Sequence, residues 1–134
     1  MSRMMFLNTT ASDIPAARTF FTGLGFEFNE TFSDENTLCL IINDLTFAML
    51  MTPARFRDFI TGGITDTAKE REVLIAVSAD SRDAVDVMAD KALATGGSAW
   101  MDPQDHGFMY GRSFRDLDGH VWEVTWMDQS AVNG

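Results

Sequence analysis

The order strand, helix, three strands occurs twice along this chain, the second time about seventy residues after the first. In the first copy, residues 4–10 read as a strand, and Ser12-Asp13 can cap a helix whose first turn holds Pro15, where a missing N–H costs nothing. Ala17, Phe20, Phe21 and Leu24 recur at helical spacing, and Gly23 and Gly25 offer the left-handed geometry of a helix end. Three β-prone runs follow at 26–30, 37–42 and 45–52, the last two separated by Asn43-Asp44. The second copy opens with a strand at 72–78, a cap at Asp80 or Ser81, and a helix carrying Val85, Met88, Ala89 and Ala92. Gly96-Gly97 ends that helix, and runs at 98–101, 108–115 and 120–127 complete the copy, with Asp118-Gly119 as a hairpin signal. Such repetition restricts the chain to an α+β duplication in which each helix covers one face of its own strands and leaves the other to line a concavity.

The expected organisation is one domain: a first module at 1–53, a linker with a short helix at 54–70, a second module at 71–128 and a tail at 129–134. Phe56, Phe59 and Ile60 fall on one side of the short helix, and the polar stretch around Gly62-Gly63 reads as linker. With 46% apolar residues in 134, the chain can build a core without disulfides or a metal. Cys39 is its only cysteine and sits in an apolar run, which points to a buried thiol and a reducing, cytoplasmic setting. No apolar run approaches the roughly 18 residues of a membrane span. A net charge of -10 with scattered basic residues makes nucleic acid an unfavourable partner.

Residues 110–124 run Tyr-Gly-Arg-Ser-Phe-Arg-Asp-Leu-Asp-Gly-His-Val-Trp-Glu-Val, and the first helix ends Phe20-Phe21-Thr22-Gly23-Leu24-Gly25-Phe26. The first resembles the final hairpin, and the second the opening helix, of the vicinal-oxygen-chelate superfamily, which holds glyoxalase I, bleomycin-resistance proteins and extradiol dioxygenases. That resemblance implies two βαβββ modules forming an open eight-stranded half-barrel, commonly a homodimer. In metal-dependent members, His or Glu from two strands of each module hold a divalent ion that polarises substrate oxygens. Carried over, the last-strand ligand falls on Glu123. The first-strand position falls on Phe6, with Asn8 reached by a two-residue slip, the fourth-strand position falls near Met49, and the fifth-strand position on Val73 or Leu74. Only Glu123 suits a divalent metal, so no cofactor is expected, and a divalent metal stays open as the alternative for an enzyme that uses Glu123.

Two function classes follow. A binding protein of the bleomycin-resistance kind would hold a small apolar or aromatic molecule on a floor of Phe6, Phe47, Met49 and Met51, with Asn8 as a polar contact. A lyase or isomerase of the glyoxalase kind would use Glu123 as general base, with Tyr110, Arg112 or the loop residue His106 as electrophile or acid. Tyr110, Arg112 and Phe114 share one strand face, and two uses of Arg112 stay open, an anionic ligand or neutralisation of Glu123. His120, by strand alternation, lies opposite Glu123. A dioxygenase needs two histidines and a carboxylate around iron, and neither of the chain's two histidines is at a matching position, which disfavours that chemistry.

Overall fold

In the computed structural model, which describes residues 3–133, side-chain caps set where both long helices begin. Asp13 accepts the Ala16 N–H at 3.0 Å and starts α1 (Ile14–Gly23), while Ser81, rather than Asp80, accepts the Ala84 N–H at 3.0 Å and starts α3 (Arg82–Ala94). Both helices also end alike. The Phe26 N–H reaches Phe21 O at 3.0 Å across Gly25 (φ +96°), and the Gly97 N–H reaches Ala92 O at 2.9 Å across Gly96 (φ +113°).

The chain divides into two units, Met1–Thr65 and Asp66–Gly134. In the first, β1 (Met5–Thr10), β2 (Glu27–Phe28), β3 (Thr37–Asn43) and β4 (Thr46–Met51) form a mixed sheet in the order β1-β4-β3-β2, with β1 parallel to β4. Leu38, Leu40, Ala48 and Leu50 are buried on its helix side, as are Ile14, Ala17, Phe20 and Phe21 of α1. Burying each leucine, isoleucine or phenylalanine among them contributes about 1.5–3 kcal/mol. The turn between β3 and β4 is Asp44-Leu45, one residue later than the sequence suggested, because the Asn43 side chain accepts the Leu45 N–H at 2.9 Å. Pro53, the last residue of the expected first module, opens a short helix α2 (Pro53–Phe56) capped by Thr52, and a 3-10 turn at Arg57–Phe59 follows.

In the second unit, β5 (Leu74–Ser78), β6 (Ser98–Ala99), β7 (Gln104–Asp105), β8 (Met109–Arg115) and β9 (Val121–Met127) form a sheet in the order β5-β9-β8-β6. Strand β5 runs parallel to β9, and β7 adds a fifth, two-residue strand along β8. Val85 and Ala89 of α3 pack on Val124, with Val77, Tyr110 and Trp126 around them. The expected α+β class and open mixed sheets are present; β7 makes nine strands among the described residues, and α4 (Gln129–Asn133) occupies the expected tail. Residues 66–70, expected as linker, are tied with Arg71 to the β8–β9 turn: Thr67 Oγ1 donates to Asp118 O at 2.5 Å, and Arg71 donates to Thr67 O and stacks 4.6 Å from the Trp100 ring. No helix among the described residues is long and apolar enough to cross a membrane.

Candidate functional site

Strand alternation gives each sheet one face turned away from its helix, and register decides which side chains share it. In the first unit Phe6 pairs with Phe47, Asn8 with Met49, Thr10 with Met51, and Cys39 with Met49 from the other side. The Phe6 and Phe47 rings stack at 5.3 Å and 15°. Five of the candidate residues, Phe6, Asn8, Phe47, Met49 and Met51, therefore lie together on one open face. A cavity of about 310 Å3 opens there, with Asn8, Met49 and Met51 on its floor and Phe32, Arg55 and Phe59 among its walls. Cys39 is buried on this face, and burial raises its thiol pKa, which keeps it protonated and inert.

In the second unit, Glu123 stands between Ala76 of β5 and Ser113 of β8. It lines a smaller cavity of about 100 Å3 with Trp100, Met101, Gln104, Ser113 and Thr125. Among the described residues no hydrogen bond or ion pair engages its carboxylate. Of the partners expected for it, Arg112 borders the same cavity, but its guanidinium and the Tyr110 hydroxyl are engaged by the helix. Tyr110 and Arg112 do share a face, but it is the helix face: Tyr110 OH donates to Asp86 Oδ1 at 2.6 Å, and Arg112 Nη1 donates to Asp86 at 3.0 Å and Asp90 at 2.8 Å. The guanidinium of Arg112 thus neutralises two helix carboxylates, not Glu123. The hydrogen bond from Tyr110, then that from Arg112, holds the Asp86 carboxyl below its ordinary pKa, and the same bond raises the Tyr110 phenol. His106 is exposed in the β7–β8 turn, where its N–H donates to Met109 O at 2.8 Å, and it is not in the wall of the Glu123 cavity. Next to it Asp105 is pulled down to about 2 by the Arg82 guanidinium, which also stacks on Tyr110 and Trp126.

His120 is buried, with Nδ1 2.6 Å from Glu72 Oε1. Beside it Asp116 accepts Trp122 Nε1 at 2.9 Å and the backbone N–H groups of Asp118 and His120, and burial raises its carboxyl pKa. This cluster holds the β8–β9 turn rather than a ligand.

The parallel pairings also relate the two units position by position. Asn8 faces Met49 as Ala76 faces Glu123, and each of these first strands runs into its helix cap at the same distance, Asp13 or Ser81. Asn8, Met49, Ala76 and Glu123 are thus equivalent by register, while the positions carried over from the resemblance are Phe6, Met49, Val73 or Leu74, and Glu123. An amide, a thioether, a methyl group and one carboxylate do not fit a hard or borderline divalent ion. Among the described residues no group of three or more His, Cys, Asp or Glu is placed to hold a metal. Sequence reasoning passed over Ser113, Thr125 and Gln104 beside Glu123, and Phe32 and Arg55 beside Asn8. Register parity on β8 and β9 would have found the first two.

The sequence model of the Glyoxalase/Bleomycin resistance protein/Dioxygenase superfamily matches residues 6–124. Among curated proteins nothing matches. Solved structures share the fold. A hypothetical protein, SA1046, from S. aureus superposes with a TM-score of 0.79 at 23% identity, over 94% of this chain and 95% of that one. Lactoylglutathione lyase from Agrobacterium tumefaciens gives 0.66 at 17% identity, over 94% of each chain. The fosfomycin resistance protein FosX from Mesorhizobium loti gives 0.64 at 17% identity, over 100% of this chain and 97% of that one. With nearly the whole chain matched, the resemblance becomes an assignment: this protein belongs to the Glyoxalase/Bleomycin resistance protein/Dioxygenase superfamily.

Proposed function

We propose that this protein is a small-molecule binder, holding an apolar or aromatic ligand without a metal, as a cytoplasmic homodimer. One observation carries the reading. On the open face of the first unit, stacked Phe6 and Phe47 lie beside Met49 and Met51, with Asn8 as the polar group of the floor. Flexible thioethers next to flat rings adapt to a planar guest, and a single amide fixes its orientation. Phe6 is 52% exposed, so a bound molecule or a second subunit has apolar area to cover. A ligand present at a hundred times its Kd would stabilise the fold by about 2.7 kcal/mol. The test is thermal denaturation of the purified protein against a panel of aromatic compounds, with metal analysis and light scattering of the same sample. Upward melting shifts in metal-free dimer support the proposal; stoichiometric zinc, nickel or iron that survives dialysis defeats it.

A second reading is favoured by Glu123 alone. Its carboxylate has no protein partner among the described residues and lies beside the Ser113 and Thr125 hydroxyls, an arrangement suited to taking a proton from a bound carbon acid. In this lyase or isomerase reading, Tyr110 and Arg112 are committed to Asp86 and the Ser113 hydroxyl to Met101, which leaves Gln104 or Thr125 to steady the developing oxyanion. Any turnover found should drop at least about a hundredfold in Glu123→Gln. Unchanged turnover in that variant removes Glu123 from the chemistry.

A further inference from the structure

Two aromatic rings of the first unit stand in water at the wall of the same cavity. Phe32, on a 3-10 turn at Glu30–Phe32, is 64% exposed, and Phe59, at the end of Arg57–Phe59, is 62% exposed. Neither ring is needed to hold its turn: Asn29 accepts the Thr31 N–H at 3.0 Å, and Thr52 caps the helix before Phe59. Aromatic surface left in solvent beside a cavity marks area that another molecule covers.

The same cavity offers both senses of hydrogen bond. Asn8 presents an amide, donor and acceptor at once, with no side-chain partner among the described residues. Arg55 presents five N–H groups, of which one reaches Asp58 at 3.3 Å, and its guanidinium lies 5.0 Å from the Phe59 ring centroid. That ring therefore already accepts a flat, delocalised group on its face. Asp34 uses Oδ1 to accept the Asn36 N–H at 2.8 Å and adds an acceptor to the wall. With one guanidinium and one carboxylate in its wall, the cavity selects no full charge but does select a molecule with donors and acceptors along one edge. At about 310 Å3 it lies at the small end of ligand cavities.

From these features we infer that the cavity receives a planar nitrogen heterocycle of one or two fused rings. The ring stacks on Phe32 and Phe59, and Asn8, Arg55 and Asp34 read its edge. This rests on the small-molecule reading above and adds which walls do the selecting and what chemistry they select.

Quinazolinone, its ring-saturated counterpart and naphthalene, titrated into full-length protein carrying 13C-methyl methionine, provide the test. Met49 and Met51 report on this cavity, Met101 and Met109 on that of Glu123. Quinazolinone should shift the Met49 and Met51 methyl signals to saturation. Phe32→Ala and Phe59→Ala should each weaken its Kd by about threefold to tenfold, and the saturated compound should bind more weakly by at least as much. Both phenylalanines are exposed, so melting temperatures should stay unchanged and certify the fold of the variants. Shifts confined to Met101 and Met109, or an affinity in both variants unchanged from that of the unsubstituted protein, overturn the inference while small-molecule binding stands. Naphthalene binding without quinazolinone binding overturns the heterocycle claim alone. If none of the planar probes binds, the inference fails, and the broader reading is then decided by the melting panel.

Discussion

The two units repeat one order of elements with opposite chemistry on both faces of the sheet. In the first, α1 meets the strands through Ile14, Ala17, Phe20 and Phe21, and the open face is apolar, from Phe6 and Phe47 to Met51. In the second, α3 is fastened by ions as well as by packing, through Asp86 and Asp90 to Tyr110 and Arg112, and the open face carries Glu123, Ser113 and Thr125. Backbone geometry is held by caps, glycine helix ends and parallel register, which are the same in both, so side chains between those points were free to diverge. A fold of this kind fixes positions, and the residues at those positions fix what the site can do.

If that comparison holds, core truncations give the largest effects, and the second unit should suffer more. Phe20→Ala should cost about 3–5 kcal/mol in equilibrium denaturation. Trp122→Ala should exceed it, because the indole Nε1 donates to buried Asp116, and its loss leaves a carboxyl with one donor fewer. Equal losses would mean that the Asp116 cluster adds nothing to packing.

Next come the ion pairs. Arg112→Ala should cost about 1–3 kcal/mol, since its guanidinium is mostly buried and serves two carboxylates. Arg18→Ala in the first unit, which breaks an exposed pair with Glu30, should cost under about 1 kcal/mol. Gly119→Ala should fall between these, at about 1–2 kcal/mol. Its φ is +82°, and a Cβ there would lie 2.7 Å from Thr67 Oγ1, so the mutation strains the turn and pushes the 66–71 segment away. Chemical denaturation read beside limited proteolysis at residues 66–71 would show both.

The smallest effect is acid sensitivity. Asp86 has its folded pKa lowered from 3.8, so the folded chain binds fewer protons there than the unfolded chain. Its contribution is complete above that value and is lost as pH falls through the folded pKa. Asp116 acts in the opposite sense, because burial raises its folded pKa and its penalty eases as pH falls. Asp86→Asn should flatten the loss of stability below about pH 4, as measured by melting temperature against pH; an unchanged slope would assign acid sensitivity to other carboxylates.

Much of this was legible in the amino-acid order. Helix spacing, caps and glycines fixed both long helices to within a residue or two, and the Asp118-Gly119 hairpin fixed the place of Glu123. Alternation groups Phe6 with Asn8 on one strand and Phe47, Met49 and Met51 on another, and the register of β1 on β4 brings the two sets to one face. What escaped was set by partners distant in sequence. Tyr110 and Arg112 turned to α3 because Asp86 and Asp90 stand there at helical spacing, and sequence alone does not announce which face of β8 an arginine takes. The equivalence of the Asn8–Met49 pair with the Ala76–Glu123 pair needed the parallel registers, where a shift of two residues keeps the same face and so leaves the hydrophobic pattern unchanged. Phe32 and Phe59 lie on short 3-10 turns with too little periodicity to point anywhere.

The central claim is that a greasy floor, not a chelated ion, holds the ligand. Calorimetric titration of naphthol into the full-length protein, before and after exhaustive dialysis against a chelator, tests it most directly. The account predicts saturable binding with the same Kd in both samples, shifted to weaker affinity by Met49→Ala. Binding that vanishes with the chelator and returns on adding zinc or nickel would contradict it.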